Sequence, residues 1–208
     1  MLHLILRKWL SYVTQPVAKW IAALGITANM LTITGLLIGI GAGICIALGR
    51  LRLAGALILL GGTFDLMDGA VARASNVKNP FGALLDSVVD RYSEGAIFLG
   101  LAIYFSIKGG PKMITGLALT SLGLIGAFLV SYVRARAEGL QVECKVGLMQ
   151  RPERIILLSL GVIFGDLSFK SVNLSPLILA LWVLVILSHI TVLQRVAFAL
   201  KEFHGIRA

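Results

Sequence analysis

Hydrophobic positions in this chain come in long runs. Residues 27–49, 113–133 and 171–194 each carry no Asp, Glu, Lys or Arg. A helix of that length crosses the ~30 Å hydrocarbon core of a bilayer. Two further runs are half apolar and half charged. Residues 53–75 begin apolar and end with Asp65, Asp68 and Arg73. Residues 81–107 reverse that order, with Asp86, Asp90, Arg91 and Glu94 first and an uncharged stretch after them. The charged halves therefore face the same side of the bilayer. Charges at that depth normally face a bundle interior or a wet cavity. Basic turns at 50–52 and 108–112 and a polar loop of about a dozen residues after the fourth span (113–134) separate these runs. A fifth span is opened by Arg151-Pro152-Glu153-Arg154, where Pro152 suits a first helical turn, and a sixth covers 176–198. The expected fold is an all-α polytopic membrane protein with six transmembrane helices over about 27–198, forming one domain over 1–208 with no internal repeat.

Residues 2–24 are different. Leu, Ile and Trp alternate there with Arg7, Lys8, Gln15 and Lys19, and Pro16 interrupts the run. The segment is too polar to span and reads as an N-terminal amphipathic helix lying in the interface, with Trp9 and Trp20 as anchors. A short cytoplasmic tail is the alternative. Thr27 stands where an N-cap would open the first span.

Composition agrees with this class. The 208 residues are 58% hydrophobic and only 14% charged, against about a quarter charged in soluble domains. A formal charge of +9 suits anionic lipid headgroups and loop orientation, so no nucleic-acid partner is expected. Under a six-span topology, fourteen Lys and Arg fall on the side of the termini and five on the other. That bias places the termini and the Asp residues on the cytoplasmic face of a cell membrane. Cys45 lies in an apolar run and Cys144 in a basic loop, so no structural disulfide is expected, and no cleaved signal peptide is read at the N-terminus.

The chemistry concentrates between Asp65 and Asp90, which holds four of the ten acidic residues before Glu94 is reached. Asp65 and Asp68 share one helix face, as do Asp86 and Asp90 on the next helix. Asn79-Pro80 lets the chain double back, so two helices can aim four carboxylates at one point. Like charges so placed need cations, and an all-oxygen donor set suits Mg²⁺ or Mn²⁺. Four carboxylates suffice for two ions sharing ligands; a pair about 4 Å apart is the arrangement that serves phosphoryl substitution. Gly69 and Gly82 open room for a ligand beside the backbone, and Arg73 can grip a phosphate through its fork of donors.

The spacing Asp65-x-x-Asp68-Gly69-x-x-Ala72-Arg73, eight residues, Gly82-x-x-x-Asp86-x-x-x-Asp90 resembles the signature of the CDP-alcohol phosphotransferases at every position. The resemblance runs from about residue 13 to 198. It implies transfer of a phosphatidyl-type group from a CDP-linked lipid to an alcohol, with release of CMP. It further implies that Asp65, Asp68 and Asp86 bind the metals, and that Asp90 both ligates a metal and acts as general base on the acceptor hydroxyl. Gly69, Ala72, Arg73 and Gly82 would surround the CDP moiety. Asn29 and Thr32, in a first span like the family's, and Asn79 are further candidates for that site. A homodimer is also implied.

The acceptor is read from other residues. Asp86-Ser-Val-Val-Asp90-Arg91, the run Ser131-Tyr-Val-Arg134-Ala-Arg136-Ala-Glu138 and Arg151-Pro-Glu-Arg154 resemble phosphatidylinositol phosphate synthases and their archaetidylinositol phosphate counterparts. Arg134, Arg151, Arg154 and Arg195 come from the cytoplasmic ends of three spans, where they can hold the phosphate of an inositol phosphate acceptor. Topology and helix dipoles alone would also place basic residues there. The expected donor is CDP-diacylglycerol or CDP-archaeol. Glycerol 3-phosphate is the alternative acceptor. A cation transporter using intramembrane Asp is the alternative of another class, but it leaves Gly69, Ala72, Arg73 and Gly82 unexplained.

Overall fold

In the computed structural model, residues 14–74, 80–166, 175–203 and 205 are described. All regular structure among them is helical: α1 (14–23), α2 (Ala28–Ala47), α3 (Leu51–Ala74), α4 (Pro80–Lys108), α5 (Met113–Gly139), α6 (Arg151–Ile163) and α7 (Pro176–Phe203). A single 3-10 turn, Gly110–Lys112, joins α4 to α5.

Local sequence explains the boundaries. Thr27 caps α2, its side chain accepting from Met30 N at 3.3 Å. The helix stops at Gly49, whose φ of +77° suits a residue without Cβ, and Arg50 N closes back onto Cys45 O at 2.8 Å. Pro152 lies in the first turn of α6, where its missing N–H has no intrahelical role.

Among the described residues, four helical segments are long and apolar enough to cross a membrane: Ala28–Ala47, Leu51–Ala74, Gly110–Gly139 and Pro176–Phe203. The other two expected spans fall short for separate physical reasons. α4 has ample length at 29 residues, but its first half carries Asp86, Asp90, Arg91 and Glu94. α6 has 13 residues, about 20 Å at 1.5 Å per residue.

Helices α2–α7 pack as a closed ring in the order α2, α3, α6, α7, α5, α4, and back to α2. One apolar core runs through it, with Phe98, Leu101, Leu119, Leu177, Leu181 and Leu184 essentially inaccessible. The α2–α4 seam is close enough to require glycine. A Cβ on Gly43 would strike the Ala96 carbonyl, one on Gly100 would strike the Gly43 carbonyl, and one on Gly39 would strike Ser93 Oγ. Small residues that let backbones approach are the usual means of helix association in lipid.

α1 packs Ala18 against Leu31 of α2 and against Ala70 and Val71 of α3. It thus lies against the end of α3 that carries Asp65 and Asp68, with Trp20 and Leu24 exposed. The rest of the expected interfacial segment, including Trp9, lies outside the described residues.

Candidate active site

The charged ends of α3 and α4 meet as their spacing requires. Asp65, Asp68 and Asp86 each bring a carboxylate oxygen within 4.8 Å of the other two. Asp68 is buried, and Thr32 of α2 donates to its Oδ2 at 2.7 Å. Asp86 Oδ1 is buried with no hydrogen-bond partner among the described residues. An orphaned carboxylate oxygen beside two other carboxylates is costly as it stands. Such a trio fits a hard divalent cation, and its oxygen-only donors favour Mg²⁺ or Mn²⁺ over softer metals.

Asp90, one turn beyond Asp86, reaches the trio through Arg151. One terminal nitrogen of Arg151 pairs with Asp65 and the other with Asp90 Oδ1, the latter at 2.6 Å. Arg91 stays on its own helix, donating to Ser87 O at 2.7 Å.

Beside this trio lies a cavity with about 690 Å³ of empty space, its open mouth included. Thr32, Asp65, Asp68, Asp90, Ser93, Glu94, Arg151 and Arg154 line its polar end. Farther along the same helices the lining is apolar, with Leu57, Ile97, Phe98 and Leu158 among it, and Gly35, Gly39, Gly61 and Gly62 widen it. A cleft charged at one end and apolar at the other suits a ligand with a phosphate head and a hydrocarbon tail.

The remaining candidates are distributed less simply. Gly69, Ala72 and Arg73 sit at the end of α3, outside this cavity; Arg73 is exposed and folds back so that a Cβ on Gly69 would lie 3.2 Å from its Nη1. Asn29, in the first turn of α2, and Gly82, in the first turn of α4, are half-buried. Asn79 lies outside the described residues.

Of the four arginines, Arg151 and Arg154 line the cavity. Arg154 is 2% exposed and pairs with Glu94, Nε to Oε1 at 2.9 Å and Nη2 to Oε2 at 3.3 Å. Arg195 is equally buried and donates to the carbonyls of Val146 and Val130. Arg134 pairs with Glu138 at 2.8 Å. The charges of Arg134 and Arg154 both act on Arg195, so the three guanidinium groups share one neighbourhood.

Glu94, not among the sequence candidates for the site, also lines the cavity. The signal was its spacing: Asp86, Asp90 and Glu94 recur every four residues on α4, a single helix face. Ser93 gave no such signal, because its place depends on Gly39 across the α2–α4 seam.

Fold and site together define a helical membrane protein with a carboxylate centre and an adjoining group of arginines. The chain belongs to the CDP-alcohol phosphatidyltransferase family, whose model matches residues 25–201. The chain is 34% identical over 194 residues to the phosphatidylinositol phosphate synthase of Mycobacteroides abscessus, covering 92% of this chain and 86% of that one. To the archaetidylinositol phosphate synthase of Methanothermobacter thermautotrophicus it is 38% identical over 186 residues, 88% of this chain and 87% of the other. Among solved structures, Mycobacterium tuberculosis phosphatidylinositol phosphate synthase with CDP-DAG bound superposes with a TM-score of 0.78 at 29% identity, covering 90% of this chain and 94% of that one. The same enzyme in complex with manganese and citrate gives a TM-score of 0.78 at 30% identity, over 90% and 89% of the two chains.

Proposed function

We propose that this enzyme transfers a phosphatidyl-type group from CDP-diacylglycerol, or its CDP-archaeol analogue, to inositol phosphate, releasing CMP. The observation that carries the reading is the convergence of Asp65, Asp68 and Asp86 beside Asp90, at the charged end of a cleft that is apolar farther in. The names of its relatives supply the acceptor: an inositol phosphate lipid is the product of both the phosphatidyl and the archaetidyl enzymes it resembles.

Asp65, Asp68 and Asp86 would hold two Mg²⁺ or Mn²⁺ ions, and Asp90 would ligate one of them. When bound, the ions neutralise the donor's phosphates and the charge that builds on departing CMP. Thr32 holds Asp68 in place. Asp90 takes the proton from the acceptor hydroxyl, whose oxygen forms the new bond to phosphorus as the bond to CMP breaks. Asn29, Thr32, Gly69, Ala72, Arg73 and Gly82 bind the CDP moiety, as does Asn79, which lies outside the described residues. Arg134, Arg151, Arg154 and Arg195 hold the acceptor phosphate, which the planar fork of donors on a guanidinium suits.

The same reading takes the chain as one domain with six spans, α2–α7, and a homodimer in the membrane. α4 then spans with its charged half facing the cavity, and α6 spans with the residues that follow it. α1 lies in the interface on the cytoplasmic side with the site and both termini, as the distribution of Lys and Arg supports.

CMP release by the purified protein tests the proposal, with both lipid donors and with inositol phosphate, glycerol 3-phosphate, inositol and serine offered separately. Release with inositol phosphate is expected. Release only with glycerol 3-phosphate would retain the Asp chemistry and discard the acceptor.

A further inference from the structure

Two ion pairs cross the cavity between α4 and α6. Asp90 and Glu94 lie one turn apart on α4, and Arg151 and Arg154 lie one turn apart on α6. They pair as rungs, Asp90 with Arg151 and Glu94 with Arg154. The main backbone packing of α6 is against α3 and α7, and that of α4 is against α2 and α5. Side chains, rather than backbone packing, therefore join these two helices directly.

The rungs are not equivalent. Arg151 divides its bonds between Asp65 and Asp90, and its side chain is 26% exposed. It can exchange a carboxylate for a substrate phosphate. Arg154 is 2% exposed and meets both oxygens of Glu94 in a fork-to-fork pair, while its Nη1 points at Met149 O at 3.4 Å. A guanidinium held at three nitrogens has one orientation, and Arg154 still lines the cavity and stands near Arg134 and Arg195.

We propose that Glu94 is a positioning residue for the acceptor half of the site. Its carboxylate fixes Arg154 on the cavity wall, so that the guanidinium meets the acceptor phosphate without having to be ordered on binding. An arginine on a free stem would lose rotamer freedom at that moment, and a pre-set one does not. Glu94 neutralises part of the guanidinium charge, but Arg195, which donates to carbonyls rather than to a carboxylate, keeps the neighbourhood cationic. This inference rests on the reading of a phosphorylated acceptor.

The test is steady-state kinetics of CMP release, with inositol phosphate and CDP-diacylglycerol varied in turn, on the wild type, Glu94→Gln and the exchanged pair Glu94→Arg with Arg154→Glu. Thermal stability is read on the same preparations. Glu94→Gln should raise the KM for inositol phosphate roughly tenfold or more, the scale of losing hydrogen bonds to a charged group, and leave the KM for the donor within about twofold. The exchanged pair should regain the stability lost in Glu94→Gln but not the acceptor KM, because the guanidinium then stands on the wrong wall. An unchanged acceptor KM in Glu94→Gln, an equal rise in both KM values, or recovery of the acceptor KM in the exchanged pair would overturn the proposal. Should Glu94→Gln fail to fold, Glu94→Asp, with its carboxylate one methylene short of Arg154, carries the same expectation. Failure of the underlying reading shows separately, as a wild type that releases no CMP with inositol phosphate.

Discussion

At the scale of single residues, the site depends on how each carboxylate is held. Asp65, Asp68 and Asp86 converge, whereas Asp90 stands beside them on Arg151. Replacing Asp90 with Asn should lower kcat by roughly a hundredfold or more, the usual contribution of a positioned base. Mn²⁺ should still bind at the other three carboxylates, and metal titration alongside CMP release separates the two effects. Thr32, a candidate for the CDP site, also holds Asp68 through its hydroxyl. Thr32→Val keeps the shape and removes the 2.7 Å hydrogen bond. Metal affinity should fall about tenfold, and isothermal titration with Mn²⁺ checks it. The Asp residues were legible in the sequence because their spacing on a helix is local geometry. Thr32 was legible only as a member of a first span like the family's. That its hydroxyl meets Asp68, 36 residues away, depends on how α2 lies against α3.

At the scale of elements, the α2–α4 seam holds one wall of the cavity. Gly43 is placed so that any Cβ meets the main chain of Ala96, and main chain cannot turn aside as a side-chain tip can. Gly43→Ala should therefore destabilise the protein by about 1–3 kcal/mol. Gly41, on the same helix, has nothing within 4 Å of where a Cβ would be, so Gly41→Ala should be neutral or stabilising by up to about 1 kcal/mol. Thermal denaturation of both variants in one detergent makes the comparison. The sequence shows that α2 is rich in glycine but does not say which glycines bear contact, since that depends on the rotation of one helix against another. Length is likewise read unevenly. The uncharged runs correspond to α2, α5 and α7, while α6 is described as only 13 residues.

At the scale of the whole molecule, the ring of helices brings α3, α4 and α6 to one cavity and leaves the charged groups at one end of it. Removing divalent ions with a chelator should abolish CMP release, and Mg²⁺ or Mn²⁺ should restore it. The same treatment should lower thermal stability, because clustered carboxylates repel one another when no cation lies among them. Cysteine labelling checks the topology. In a background of Cys45→Ala and Cys144→Ala, Gly205→Cys should label from the cytoplasmic side and Gly110→Cys from the other. Labelling of both from one side would rule out an odd number of spans' worth of separation between them and with it the six-span reading.

The sequence by itself determined the helices, the two carboxylate pairs and the family, because apolar run length, helical spacing and a fixed motif are all properties of neighbouring residues. Only the tertiary structure decided the partners of the arginines. Arg154 faces Glu94 from 60 positions away, and Arg195 reaches a carbonyl 65 positions away. A long cationic side chain at a helix end can turn toward a phosphate, a carboxylate or a carbonyl. Which one it meets is settled by how the helices close around it.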